Sequence, residues 1–410
     1  MAVRALYVTW DGPQVSYLEG LFLPIFAGLR AHDIEIDVLQ FTWGPQAYLE
    51  RQEQVCDESG VVYHRVIVPK AAGGLGSYLS AVMGSKRILQ LRKDRHFDVI
   101  IPRSVMPAIA TLHADWRRSA GRAPMLFDAD GLAIDEKVDA GQLSPSSLSY
   151  RMLKWYERSA ISAAAAVIGR TERACEIYRT YDAQPRQDKY IVAVNGRDPT
   201  KFKPSAPAER ELACRRLEID PLAPIIVYSG SFGEKYCPLQ MFQLFRAILQ
   251  LTPNARFLIM SGSPEDVLTY VRSQHPDLIP ALNIKSFTSG EVAGYLAVAD
   301  LGICLYKDTF ANQAFQATKL GEYLLCGLAT AGTANAMRFG LSNASFARTI
   351  STMSQDELQA VAHWFVNDVL PARTSIRNQA RDFGLAHLTT DKTVSSYAEA
   401  IKRAIEYRSN

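Results

Sequence analysis

The stretch Ala317-Thr318-Lys319-Leu320-Gly321-Glu322-Tyr323-Leu324-Leu325-Cys326-Gly327, continued by Leu328-Ala329-Thr330-Ala331-Gly332-Thr333, decides how this chain folds. It reads as a polar turn, a short helix with Leu320, Leu324 and Leu325 inward, a Gly327 stop and the start of a small-residue strand. A helix that runs straight into an apolar strand is half of a crossover in a parallel sheet. Lys319 and Glu322 are three apart and share a face near the helix N-terminus. They are either an exposed i,i+3 pair or the two ends of a nucleotide-diphosphate pocket. In the second reading the ammonium joins the free amides on phosphate, and the carboxylate one turn on accepts ribose hydroxyls.

Outward from this stretch the same unit repeats. In the second half, apolar runs at Ile225–Ser229, Arg256–Met260, 283–285, 301–305 and 328–331 alternate with expected helices near 238–250, 263–273, 289–298, 318–325 and 355–370. In the first half, runs at 5–9, 34–41, 61–68, 99–102, 125–128, 167–169 and 191–194 recur at about 30-residue intervals, the length of a strand–helix–strand unit. They are continuously apolar rather than alternating, as parallel strands buried on both faces are. The expected fold class is α/β, with two doubly wound Rossmann-like domains. The Asn195-Gly196 turn and the proline-rich 199–207 segment place the boundary near 198, giving domains 1–198 and 199–391. The amphipathic tail 392–410 is expected to return to the first domain.

Composition narrows the function. A chain of 410 residues, 48% hydrophobic and 21% charged, buries a large core, and a net charge of +3 argues against nucleic acid as partner. Six cysteines without a CxxC pair suggest reduced thiols and a cytoplasmic setting, and the opening residues lack the apolar block of a signal peptide. No run reaches the roughly 18 apolar residues that cross a bilayer. Scattered histidines give no metal-ligand spacing, so neither metal nor cofactor is expected.

Ligands of such sheets meet the carboxyl ends of strands. There the first domain places Trp10-Asp11-Gly12-Pro13-Gln14, with Ser16 as the expected N-cap of a helix, and Phe127-Asp128-Ala129-Asp130-Gly131 followed by Asp135 and Glu136. Four carboxylates within nine residues are costly to bury unless paired, which points to function. The second domain places Gly230-Ser231 and Lys235 after its first strand, where glycine lets a backbone approach phosphate. Phe287 follows the third strand and is either a base-stacking ring or a core residue. The glycine-rich 71–77 segment lacks the lysine of a phosphate-binding loop and reads as a flexible loop. Nine bases between 86 and 122, among them Arg103, Arg117 and Arg118, face only Asp94, Asp98 and Asp115. They form a solvated face or, with Trp116, a surface for anionic lipid.

Thr318 to Gly327 resembles the donor-site signature of the retaining family 4 glycosyltransferases, in the form TKLxEYLxxG. Of that family's two glutamates, separated by seven residues, Glu322 matches the second, and Ala314 stands at the first. Asp11 to Ser16 resembles a DG…SQV opening, 127–136 an FDMRGxxxDE stretch with Ala129 and Asp130 in place of Met and Arg, and 195–198 an NGVD turn. The resemblance implies a GT-B architecture, two lobes facing across a cleft with the last helix crossing back. It also implies sugar transfer from a nucleotide-diphosphate donor to a glycan or lipid-linked hydroxyl, with retention and without a cofactor, in cell-surface polysaccharide synthesis.

Carried over residue by residue, Gly230, Ser231, Lys235, Phe287, Thr318, Lys319, Leu320 and Glu322 would hold the nucleotide-sugar. Lys235 and Lys319 would stabilise the leaving diphosphate. Asp11, Gln14, Asp130 and Asp135 would meet the acceptor, and Asp128 with Asp130 would position acceptor or sugar. Tyr306, Asn312, Gln313 and Gln316 are candidates for the sugar contacts that Ala314 cannot make. Localisation would be cytoplasmic, possibly at the inner face of the membrane. A GT-B-type nucleotide-sugar epimerase and a non-catalytic glycosyltransferase-like partner subunit are the alternatives.

Overall fold

The computed structural model describes residues 2–409 apart from 16, 70–72, 118–121, 289 and 342–343, so the expected Ser16 cap and Arg118 lie outside the described residues. The chain divides into two compact units. The first comprises Met1–Val194, Thr309–Phe315 and Asp391–Asn410, and the second comprises Asn195–Asp308 and Gln316–Thr390.

In the first unit, β1 (Val3–Trp10), β2 (Ile34–Thr42), β3 (Val62–Ile67) and β4 (Val99–Pro102) form a parallel sheet of order β3-β2-β1-β4. A second parallel set, β5 (Leu126–Asp128), β6 (Ala166–Gly169) and β7 (Tyr190–Val192), continues from it through isolated bridges Ile100 to Met125 and Arg103 to Asp128. The order reverses between β1 and β4, which makes the ends of these two strands the topological switch point. Continuous apolar strands are explained by this layering: β4 and β6 are buried at every position because helices cover both faces. The C-terminal helix Thr390–Ser409 places Val394, Tyr397, Ala398 and Ile401 in one of the unit's cores.

The second unit carries one parallel sheet of β8 (Ile225–Ser229), β9 (Arg256–Met260), β10 (Leu282–Lys285), β11 (Leu301–Cys304), β12 (Ala329–Thr333) and β13 (Ala347–Ile350). Its order, β10-β9-β8-β11-β12-β13, again reverses beside the first strand, between β8 and β11. Both units are doubly wound parallel α/β structures, as expected from the apolar runs.

Three local expectations change. Gly73–Ser77 opens the long helix Gly73–Asp94 instead of forming a loop, because the apolar positions that follow pack it on the sheet; residues 71 and 72 lie outside the described residues. β13 and the helix Arg373–His387 were not legible. Part of the basic 86–122 run is committed to internal partners, with Arg92 paired to Asp115 at 2.6 Å, Arg95 to Asp37 at 2.9 Å, and Arg103 buried.

Candidate functional site

The second unit builds its site on the helix Thr318–Leu325. Ala317 stands at the N-cap and has no side chain with which to cap, so the first-turn amides gain no side-chain acceptor. Tyr323, the sixth residue of the helix, lies against Gly302 of β11, where any Cβ would fall 2.3 Å from its ring. That close approach carries the Tyr323 hydroxyl to the backbone N–H of Ser229, 2.9 Å away, and so fixes the exit of β8. One residue on, Gly230 takes φ +133, a conformation open to glycine, and a Cβ there would sit 3.1 Å from Lys319 Nζ.

Lys319 is the unusual group. Its side chain is buried, and among the described residues its ammonium has no hydrogen-bond partner. It lies over the rings of Tyr228, Tyr236 and Tyr306, at 3.9, 4.9 and 5.5 Å from their centroids. Burial lowers its pKa to about 8, with a smaller push in the same direction from Lys235. Three aromatic faces attract a cation but accept few of its protons, so the ammonium is poised for an anion beside Gly230.

Glu322 shares this helix and takes a partner that the sequence did not suggest. Arg197 donates from Nη2 at 2.5 Å and from Nε at 2.9 Å to the same oxygen, Oε1. The backbone of Arg197 is held from both sides, its N–H by Leu388 carbonyl at 2.8 Å and its carbonyl by Thr390 N–H at 3.0 Å. Gly321 leaves room for its stem, since a Cβ there would lie 3.7 Å from Arg197 Cγ.

The remaining donor-side candidates divide. Thr318 is half-buried at the first helical position. Leu320 is wholly buried and its N–H bonds to Ala317 carbonyl at 3.2 Å, so it contributes packing. Ser231 is exposed, and its carbonyl accepts from the Tyr228 hydroxyl at 2.5 Å. The carbonyl of Lys235 accepts from Lys307 N–H at 2.9 Å, in the short turn Glu234–Tyr236. Phe287 lies against Tyr295 with ring centroids 4.2 Å apart and planes tilted by 40°, half-buried against the core.

In the first unit the switch point holds a dense charge network. Arg103, at the end of β4, pairs with Asp11 at 3.4 Å and with Asp130 at 2.5 Å, and lies 4.8 Å from the rings of both Tyr17 and Phe22. Burial alone would depress this guanidinium, but Asp130 and the neighbouring acids hold its pKa above the usual value. Asp130 itself adopts φ 51 and remains partly exposed. Arg170 Nη2 donates to both oxygens of Asp128, at 2.7 and 2.9 Å.

Asp128 is thereby held inside the first unit. It is wholly buried and also accepts from the hydroxyls of Tyr7 and Tyr397, so it ties β1, β5 and the last helix together. Asp135 is likewise buried, bonded to Lys154 at 2.9 Å and Tyr150 at 3.2 Å. Asp11 is buried and bonded to Thr9 and Arg103, whereas Gln14 is exposed in the turn after β1. The position of the family's first glutamate, Ala314, is a wholly buried core residue of the first unit. Of its suggested substitutes, Gln313 accepts from Arg173 at 3.3 Å, and Gln316 accepts from Asn195 N–H at 2.6 Å. Arg103, Arg197 and Tyr323 are the residues that sequence reasoning missed as site builders.

Residues 22–196 match the model of a glycosyl transferase 4-like domain. The chain carries a glycosyl transferase 4-like domain. The resemblance to family 4 glycosyltransferases therefore stands. An alpha-maltose-1-phosphate synthase of Mycolicibacterium smegmatis is 28% identical over 117 residues, which is 28% of this chain and only 29% of that relative's length.

Beyond the glycosyl transferase 4-like domain, likeness to solved structures covers almost the whole chain. HepE of Anabaena, solved with UDP, superposes with a TM-score of 0.70 at 13% identity over 98% of this chain and 100% of its own. A glycosyltransferase of Rickettsia africae gives 0.73 at 14% identity, over 98% and 99%. At such identities the likeness speaks for the fold, two Rossmann-like units of the GT-B kind.

Proposed function

We propose that this protein is a retaining glycosyltransferase that moves a hexosyl or related sugar from a nucleoside-diphosphate sugar to a hydroxyl of a glycan or lipid-linked glycan. The single observation that carries this reading is the buried, unpartnered ammonium of Lys319 beside the glycine-only turn at Gly230. A diphosphate there accepts a charge-assisted hydrogen bond from the lysine, an acceptor that the described residues do not offer it. Lys235 adds a second cation, and Glu322, turned by Arg197, accepts from the ribose. As the sugar–oxygen bond breaks, charge gathers on the diphosphate, and these cations stabilise it more than they stabilise the ground state.

On the first unit, Gln14 and Asp130 are the groups left to meet an acceptor, with Arg103 fixing Asp130. The nucleotide-sugar is a co-substrate, and no cofactor enters this scheme. UDP is the nucleotide of choice for the first test, because HepE is solved with it. The setting is cell-surface glycan synthesis at the cytoplasmic face of the membrane, with a lipid-linked acceptor.

The test is calorimetric titration with UDP and GDP, followed by incubation with the matching nucleotide-sugars. Micromolar binding and slow release of free sugar with retained anomeric configuration support the reading. Appearance of an epimerised nucleotide-sugar assigns the site to epimerisation instead. Absence of binding by either nucleotide, with Lys319→Ala indistinguishable from the native protein, overturns the donor site.

A further inference from the structure

Three helices of the first unit, Gly73–Asp94, Val105–Arg117 and Leu148–Ala163, present an outer face of unusual composition. They are locked side by side: Arg117 Nη1 donates to Ser85 Oγ at 3.1 Å, and the rings of Trp116 and Trp155 lie 6.0 Å apart. Both tryptophans are about half exposed, at 47% and 54%, and Leu79, Met83 and Leu148 are exposed with them. Large apolar side chains clustered on helices that have already buried their inner faces mark a surface that meets something apolar.

The charges around them have one sign. Lys86, Arg117, Arg151 and Arg158 are exposed on these helices, and on the last of them Leu148, Arg151, Trp155 and Arg158 follow helical spacing along one face. The acids of the same region are withdrawn. Asp115 is committed to Arg92, and Glu157 is buried against Lys154, which leaves Asp94, at the far end of its helix, as the exposed acid among the described residues of the three helices.

The tryptophans are also braced from inside. Tyr156 links His113 at 2.8 Å and Tyr78 at 3.0 Å through its hydroxyl, and its ring and that of His113 each lie 4.8 Å from a tryptophan ring. This aromatic floor leaves the two indoles directed outward.

Paired indoles flanked by arginines and leucines, without acid, match the boundary between lipid headgroups and acyl chains. We propose that this three-helix face docks the protein on an anionic bilayer, the tryptophans entering the interface and Arg151, Arg158 and Arg117 meeting lipid phosphates. The purpose of the docking, delivery of a lipid-linked acceptor, rests on the proposed glycosyl transfer, whereas the binding itself does not.

The experiment is sedimentation of the full chain with vesicles of phosphatidylcholine alone and with an equal part of phosphatidylglycerol. The chain is expected to pellet with the anionic vesicles and to be released by high salt. Trp116→Ser with Trp155→Ser, and separately Arg151→Glu with Arg158→Glu, are expected to lower partition at least tenfold while UDP affinity and melting temperature stay unchanged. Failure of the native chain to pellet, or equal pelleting of both variants, overturns the proposal. So does a concentration-dependent dimer that the same variants dissolve, which would give the face to a second copy. If UDP binds but vesicles do not, only the docking falls. If vesicles bind but UDP does not, only the donor site falls.

Discussion

Arg197 and Glu322 meet through two N–H donors on a single carboxylate oxygen, at 2.5 and 2.9 Å. The geometry turns the acid by its rear oxygen and fixes its rotamer from a turn 125 residues earlier in the chain. An arginine here neutralises the acid without displacing it from the helix face it shares with Lys319.

Arg197→Met therefore loosens Glu322 and leaves a buried carboxylate without this partner. UDP affinity is expected to fall about tenfold, the loss of one charge-assisted contact worth about 1.5 kcal/mol. Affinity for 2′,3′-dideoxy-UDP, which lacks the hydroxyls, should not change. Equal losses for both nucleotides in calorimetry would show that Arg197 acts on the fold alone.

Lys319 sets a pH dependence. Its pKa in the free protein is lowered to about 8, and a bound diphosphate favours the ammonium, so binding takes up a proton above that pH. Affinity for UDP should be flat from pH 7 to 8 and then weaken toward tenfold per unit, with proton uptake visible in buffers of different ionisation enthalpy. A pH-independent affinity to pH 9.5 contradicts this.

The same shift has the opposite consequence for the empty protein. The unfolded chain, with a lysine pKa near ~10.4, binds more protons than the native state between about pH 8 and that value, so this group makes stability rise with pH across that window. Lys319→Met removes the buried charge and should raise the melting temperature at pH 7 while abolishing UDP binding. A variant that melts lower at neutral pH would mean that the ammonium is stabilised by groups other than the three tyrosines.

Asp128→Asn tests whether the buried acid holds the fold or takes part in the reaction. With buried Arg170 losing its bidentate partner and keeping the longer 3.6 Å pairing to Asp130, unfolding free energy should drop by about 3 kcal/mol in urea titration. The surviving folded fraction should keep its UDP affinity. A stable variant with lost activity would return Asp128 to the reaction.

Gly230→Ala forces a side chain into φ +133 and sets its Cβ 3.1 Å from Lys319 Nζ. A loss of about 1 kcal/mol in stability and a larger loss in UDP affinity are expected. Full retention of affinity in titration would separate this turn from the diphosphate.

Apolar runs were enough to place twelve of the thirteen strands among the described residues, most plainly the central ones, because a parallel strand covered on both faces has no polar side to hide its period. β13, Ala347–Ile350, escaped because Arg348 and Thr349 make it an ordinary-looking polar tetrapeptide. The helix Arg373–His387 escaped because its buried face is built of Ile376, Ala380 and Gly384 and carries little apolar signal. What seats it is backbone approach, with Gly384 lying 3.0 Å from the Leu325 nitrogen where a Cβ would stand. Arg377 and Arg381 then donate to carbonyls of the same unit, Arg377 to Ala297 and Arg381 to Leu325.

The sequence alone determined the layered α/β class, the helix that bears Lys319 and Glu322, and the glycine turn at 230, since each depends on periodicity or on the one residue type a conformation admits. Tertiary structure decided which charges are at work. Asp128, Asp130 and Asp135 look alike in one dimension, yet Arg170, Arg103 and Lys154 reach them from other elements and bury two of the three. Among the described residues Lys319 was left without a hydrogen-bond acceptor, and Glu322 was given a donor by a residue far away in the chain. Whether a buried charge costs or binds depends on what surrounds it in space, and only folding brings those groups together.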